Sequence, residues 1–223
     1  MKLLLRHDPP RSSVLDLASG GGAMLARLRD AGFSDLHEVV RDPKVFGQHR
    51  DETAAAAPES PAETTIVGLD LNGRFADRYT RRFNLIVTSE VIEHLESPRG
   101  FLGQVSRLLE DDGLLLVTTP NVANWVGRIR FLLFGELRWF DETMRRQAHH
   151  VSPLTDSQMR ALLAEAGFDV IATTSAGNFA GPLLTLLTAP LSLPFLALLG
   201  RRGWGDCNIY LAKRPGSGDR RSN

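Results

Sequence analysis

Cysteine is almost missing from this chain: Cys207 is the only one among 223 residues. That excludes an intrachain disulfide framework and a cysteine-rich metal site, and a lone thiol fits a reducing compartment. Net charge is missing too, because 26 Lys and Arg offset 26 Asp and Glu. No global basic field draws the chain onto nucleic acid, and only local arginine clusters remain for that purpose. A secretory leader is not evident either. The opening MKLLLRHDPP has three leucines before Arg6, far short of a signal-peptide core, so the chain reads as cytoplasmic. No internal repeat is visible. What is present is ordinary globular material, 43% hydrophobic and 23% charged, enough for one sizeable core.

Strand-like and helix-like runs alternate along the chain. Residues 13–17 form a short apolar strand candidate, followed at once by Ala18-Ser19-Gly20-Gly21-Gly22. Residues 23–31 carry Met24, Leu25 and Leu28 at helical spacing, with Gly32 as a stop. Strands are expected at 36–40, 64–69 and 85–89, with the low-complexity stretch inside 41–63 read as a solvated loop. Ser97-Pro98 opens a helix with Phe101, Leu102, Val105, Leu108 and Leu109 on one face, and Asp112-Gly113 turns the chain into a strand at 114–118. A helix at 155–167 and strands at 168–173 and 208–212 complete the series. Such alternation predicts an α/β fold, a mostly parallel sheet with helices on both faces. The Gly, Ser, Asp and Arg tail at 215–223 reads as disordered.

The string VLDLASGGG at 14–22 runs a strand into a glycine-rich turn and a helix start, where free N–H groups and bare backbone accept a ligand. A dinucleotide fingerprint would space its glycines G-x-G-x-x-G. Here Asp16 precedes the loop within D-x-A-x-G-x-G, which resembles the S-adenosyl-L-methionine loop of class I methyltransferases, with Ala18 in place of the first glycine. The later strings FNLIVTSEVIEHL, LLEDDGLLLVTTPN and HHVSPLT resemble the same family in the same order, over roughly residues 12–175. The resemblance implies a Rossmann-like fold with a central seven-stranded, mostly parallel sheet in a single domain over 1–214. By position it implies a cofactor site of Asp16, Ala18, Ser19, Gly20, Gly22, Asp70, Leu71 and Ser89. The ribose is usually met by a carboxylate closing the second strand. Val40 stands there, with Asp42 two residues on, a departure from the family pattern. Asp70 carries a second reading as a turn-capping aspartate.

A second constellation is EVIEH. Glu90, Glu93 and His94 share one face if the segment begins a helix, and two carboxylates with an imidazole suit a divalent ion such as Mg2+ or Mn2+. The string resembles the metal motif of small-RNA 2′-O-methyltransferases and the E-x-x-E-H of ubiquinone-pathway O-methyltransferases. By that resemblance His150 joins Glu90, Glu93 and His94 as a metal ligand, and His94, His150 and Glu90 are the catalytic candidates. Metal-free use of His94 or His150 as a base, and purely structural roles, stand beside this reading.

Two segments bear on the acceptor. Residues 120–150 place five arginines among Trp125, Phe131, Phe134, Trp139 and Phe140, and read as a cap insertion over the sheet edge. It could grip an anion or simply be an amphipathic helix with solvated arginines, the second reading being slightly favoured. Residues 170–200 contain a long uncharged run whose Pro190 and Pro194 interrupt any continuous span. An apolar helical hairpin at 179–203 is expected there, packed internally, at a dimer interface, or against the inner face of a membrane. Together these readings point to O-methylation of a hydroxyl on a small or lipid-linked acceptor, of saccharide or quinone-precursor type, by a monomer or homodimer. RNA 2′-O-methylation and a non-catalytic cofactor-binding partner are the alternatives.

Overall fold

The computed structural model describes residues 1–18, 22–40, 62–177 and 204–216, together with 190 and 197–198. Seven strands form one sheet: β1 (Val14–Leu17), β2 (Leu36–Val40), β3 (Thr64–Val67), β4 (Phe83–Ser89), β5 (Leu109–Pro120), β6 (Asp169–Ala176) and β7 (Cys207–Lys213). Their order is β3-β2-β1-β4-β5-β7-β6. The first five are parallel and β7 is antiparallel to both β5 and β6. The mostly parallel sheet expected from the alternation is therefore present.

Side-chain alternation decides which layer each strand feeds. On β1, Leu15 and Leu17 enter one core with Phe101, Leu102 and Val105 of α3 (Pro98–Leu108). Val14 joins the other core with Leu25 and Leu28 of α2 (Ala23–Asp30). Both faces of the sheet are covered, which is why its central strands read as continuous apolar runs. Ser97 caps α3 by accepting a hydrogen bond from the Gly100 N–H, and Thr155 with Gln158 forms a reciprocal capping box on α6 (Asp156–Glu165).

Several boundaries differ from the sequence reading. The turn expected at Asp112-Gly113 is absorbed into β5, which carries extra residues: Phe83 pairs with Leu109 but Leu85 with Leu114. Asp112 takes a left-handed φ of 64°, and its N–H donates to the Arg214 carbonyl, so the bulge is held by backbone beyond β7. A four-residue helix α1 (Lys2–Leu5), which the sequence did not announce, buries Leu4 in the core on the α2 side. Between β5 and α6 lie α4 (Trp125–Phe134) and α5 (Glu142–Gln147), with no further strand. Most of the 179–203 segment, Ser19, Gly20, Asp42 and residues 217–223 lie outside the described residues.

Candidate active site

The parallel strands deliver their C-terminal ends to one edge, and the chain direction across the sheet reverses between the neighbours β1 and β4. Crevices at such a switch point are where open α/β sheets bind ligands. Asp16 pairs with Val87, so Ala18 and Ser89, two positions further along each strand, stand level at this edge.

The turn after β1 is shaped for close backbone approach. Ala18 has φ 69° and Gly22, the N-cap of α2, has φ 74°. Ala18 therefore occupies a left-handed conformation that glycine adopts freely and an L-residue enters at a cost of about 1–2 kcal/mol. Beneath the turn, Asp16 is buried on the α2 side and pairs in register with buried Glu38 of β2. Burial first, and the Glu38 charge second, push the Asp16 carboxyl up to about 7. Glu38 in turn accepts a hydrogen bond from the Thr65 hydroxyl at 2.8 Å. Leu71 is buried in the core that Ala18 also borders, whereas Asp70 is exposed and its Oδ1 accepts the Asn72 N–H at 2.9 Å. That hydrogen bond is the turn-capping geometry weighed for Asp70.

EVIEH does not begin a helix. Glu90 has φ 53°, and a single 3₁₀ turn, Ile92–His94, follows. A second segment then locks onto this turn: the Val151 and Ser152 N–H groups donate to the Glu93 carbonyl at 2.9 and 3.0 Å, and the Ser152 hydroxyl donates to the Leu95 carbonyl at 2.6 Å. These bonds seat His150 beside His94, with ring centroids 4.8 Å apart in an edge-on arrangement. One ligand atom from each of Glu93, His94 and His150 falls within 4.8 Å of the others. Glu90 is outside that group, because its Oε1 accepts from the Thr118 hydroxyl at 2.8 Å and from the Cys207 thiol at 3.1 Å.

Glu93 is fully buried, and its Oε2 accepts from the Thr119 hydroxyl at 3.4 Å. Among the described residues its Oε1 accepts no hydrogen bond, and the Glu90 carboxyl lies close by. Burial and the nearby Glu90 carboxylate push the Glu93 carboxyl up to about 8. A buried carboxylate oxygen without a donor, beside two imidazoles, fits a divalent cation by its chemistry. Cys207 is not in that group; burial and then Glu90 hold its thiol well above the ordinary range.

Sequence reading missed four contributors. Glu38 had a signal, a carboxylate inside a five-residue apolar strand. Thr118 and Thr119 were visible only as strand residues. Trp139 contributes through its main-chain carbonyl, which accepts from His150 Nδ1 at 2.7 Å, and no side-chain pattern announces that.

The sheet order with a ligand turn at its switch point defines a Rossmann-like class I methyltransferase fold. Solved relatives share it: an S-adenosylmethionine-dependent methyltransferase from Archaeoglobus fulgidus superposes with TM-score 0.63 at 13% identity, covering 95% of this chain and 90% of that one. A magnesium protoporphyrin IX methyltransferase from Synechocystis, solved with bound S-adenosylhomocysteine, superposes with TM-score 0.56 at 14% identity, covering 96% and 78%. The chain belongs to a methyltransferase-domain family whose model matches residues 1–173. Among curated relatives, the ubiquinone biosynthesis O-methyltransferase of Rhizobium rhizogenes is 25% identical over 193 residues, 85% of this chain and 73% of the relative. That of Rhodopseudomonas palustris strain HaA2 is 24% identical over 174 residues, 76% of this chain, which spans only 62% of that protein.

Proposed function

We propose that this methyltransferase transfers a methyl group to a hydroxyl oxygen of a small or lipid-linked acceptor, with a divalent cation at Glu93, His94 and His150. The observation that carries the proposal is the convergence of those three side chains at the sheet edge that also holds Ala18 and Ser89. Two imidazoles and one carboxylate suit Mn2+ better than Mg2+, which prefers an all-oxygen shell. Asp16, Ala18, Ser19, Gly20, Gly22, Asp70, Leu71 and Ser89 are the proposed cofactor contacts, with Asp42 as the proposed ribose acid.

Bound S-adenosylmethionine supplies the electrophilic methyl on its sulfonium, and a bound cation supplies positive charge that acidifies a hydroxyl beside it. The chain's own residues then align the acceptor oxygen and remove its proton. The methyl would pass from sulfur to the acceptor oxygen, the sulfur keeping the bonding pair, and the acceptor proton would go to a base of this chain. Glu90 stands ready as a second carboxylate next to Glu93, and a histidine lone pair at His94 or His150 can take the proton when no cation occupies it.

An acceptor with an apolar portion is supported by the end of α4. Phe131, Leu132, Leu133 and Phe134 are consecutive, large and exposed. Successive helical residues point about 100° apart, so the four cover most of the helix circumference rather than one stripe. A lipid surface or an acceptor's tail can surround such an end, whereas a flat protein face cannot. No helix among the described residues is long and apolar enough to cross a membrane.

The test is transfer of labelled methyl from S-adenosylmethionine to a vicinal-dihydroxy aromatic acceptor, a lipid-linked saccharide and a short RNA. Each is assayed with chelator and again with Mn2+ restored. Transfer to the first or second acceptor that disappears with chelator and returns with Mn2+ supports the proposal. Transfer that persists in chelator overturns the metal role, and transfer to RNA alone overturns the acceptor class.

A further inference from the structure

The cap reaches the site through one main-chain atom. His150 Nδ1 lies 2.7 Å from the Trp139 carbonyl oxygen. A carbonyl oxygen only accepts, so Nδ1 must carry the hydrogen, and in the neutral ring Nε2 is then the atom with the free lone pair. Trp139 sits in a left-handed conformation, φ 70°, which a bulky aromatic residue adopts only when its surroundings impose it. Those surroundings are visible. The Arg138 guanidinium, largely buried, pairs with Asp206 at 3.0 Å and lies over the Trp139 ring with its central carbon 4.6 Å from the centroid. Asp206 is fixed by its own backbone, its N–H donating to the Ala176 carbonyl at 2.8 Å and its carbonyl accepting the Asn121 N–H at 2.7 Å. The His150 ring itself has Phe140 at 5.3 Å and His94 at 4.8 Å, centroid to centroid.

We infer that Trp139, held by the Arg138–Asp206 pair, is a positioning residue whose carbonyl sets the tautomer of His150 and turns its Nε2 lone pair toward Glu93 and His94. The inference rests on the reading of His150 as a site residue. It adds a coupling: the connection entering β7, through Asp206, and the cap, through Arg138 and Trp139, jointly determine whether His150 offers a lone pair at the correct nitrogen. A neutral histidine left to solvent favours the proton on Nε2, and a ring in that form could neither ligate a cation nor take up a proton at that atom. Partners on the far nitrogen commonly set metal-bound histidines in this way, and their loss typically weakens metal affinity about 10–100-fold.

The experiment is a long-range proton–nitrogen correlation spectrum of the uniformly 15N-labelled full chain, without metal, cofactor or acceptor, at a pH where imidazoles are neutral. Its His150 signals are assigned by their loss in His150→Gln. The expected wild-type pattern has Nδ1 protonated and Nε2 unprotonated. In Arg138→Met the signals should move toward the opposite tautomer, and Arg138→Lys, which keeps a cation for Asp206, should restore part of the wild-type pattern. Asp206→Asn is the parallel variant should Arg138→Met fail to fold. A wild-type spectrum with Nε2 protonated overturns the inference outright. A wild-type pattern unchanged in both folded Arg138→Met and Asp206→Asn overturns the role of the pair. Because the spectrum involves no turnover and no ion, either failure leaves the methyltransferase reading intact, and failure of the metal proposal leaves the tautomer result standing.

Discussion

Asp16 on β1 and Glu38 on β2 are register partners in the parallel sheet, and both carboxyl groups are buried. Among the described residues neither takes a hydrogen bond from a cationic side chain, and Glu38 accepts from the Thr65 hydroxyl. Two acids so placed cannot both be charged cheaply, and the pair keeps a proton that would be lost in water.

A pH dependence of stability follows from that proton. The folded Asp16 carboxyl titrates at about 7, raised chiefly by burial, whereas an unfolded aspartate titrates near about 4. Between those values the folded state binds a proton that the unfolded state has released, so stability falls as pH rises through the window. Calorimetric melting should show a higher Tm at about pH 5 than at about pH 8. Asp16→Asn, which stays neutral throughout, should reduce that difference, the remainder coming from Glu93, whose raised carboxyl acts with the same sign, and an unchanged slope in the variant would count against the acid pair.

Metal affinity should separate the carboxylates. Glu93→Gln, which keeps the side-chain shape and removes the charge, is expected to weaken Mn2+ binding at least about tenfold in calorimetry. Glu90→Gln should cost less, because Glu90 is engaged by Thr118 and Cys207 rather than grouped with the two histidines. Equal losses in the two variants would show that Glu90 swings in as a fourth ligand.

The glycine-like conformation of Ala18 makes an asymmetric prediction. Ala18→Gly removes left-handed strain of about 1–2 kcal/mol but adds about 0.4–1 kcal/mol of unfolded-chain entropy, so stability should change little or rise by up to about 1.5 kcal/mol. Ala18→Val puts a β-branched residue where φ is 69° and should lower both Tm and S-adenosylmethionine affinity. Thermal melts with and without the cofactor check both signs.

Gly127, in the first turn of α4, is the most constrained position of the cap. A Cβ there would collide with the Val122 carbonyl oxygen and crowd the Asn124 side chain, whose oxygen accepts the Gly127 N–H at 2.8 Å. Gly127→Ala should therefore destabilise by about 1–3 kcal/mol, read by urea unfolding. The side chain added is small and apolar, so the loss would come from backbone displacement rather than from buried polarity.

The alternation of strand and helix signals, the glycine-rich turn after β1 and the helix starts at Ser97 and Thr155 were all legible in the chain, because each depends on residues within a few positions of one another. The local rules also misled in two places. Asp112-Gly113 carries a turn signal, yet Asp112 pairs with backbone near Arg214, a partner more than one hundred residues away, and the strand runs through. EVIEH has helical spacing, yet the left-handed φ at Glu90 and the hydrogen bonds from Val151 and Ser152 hold it in one 3₁₀ turn.

By itself, the sequence determined the layers, the turn and the kinds of side chain the site would use, since periodicity and spacing are local properties. Only the tertiary structure decided which of those side chains meet. Glu90 and Glu93 stay close enough for one charge to act on the other, yet take different partners: Glu90 accepts from Thr118 and Cys207, and Glu93 groups with His94 and a histidine 57 positions further on. The physical reason is that side-chain direction at a strand end depends on the backbone partners of the turn that follows. Those partners, the 151–152 segment for Glu93 and the cap for His150, come from elsewhere in the chain.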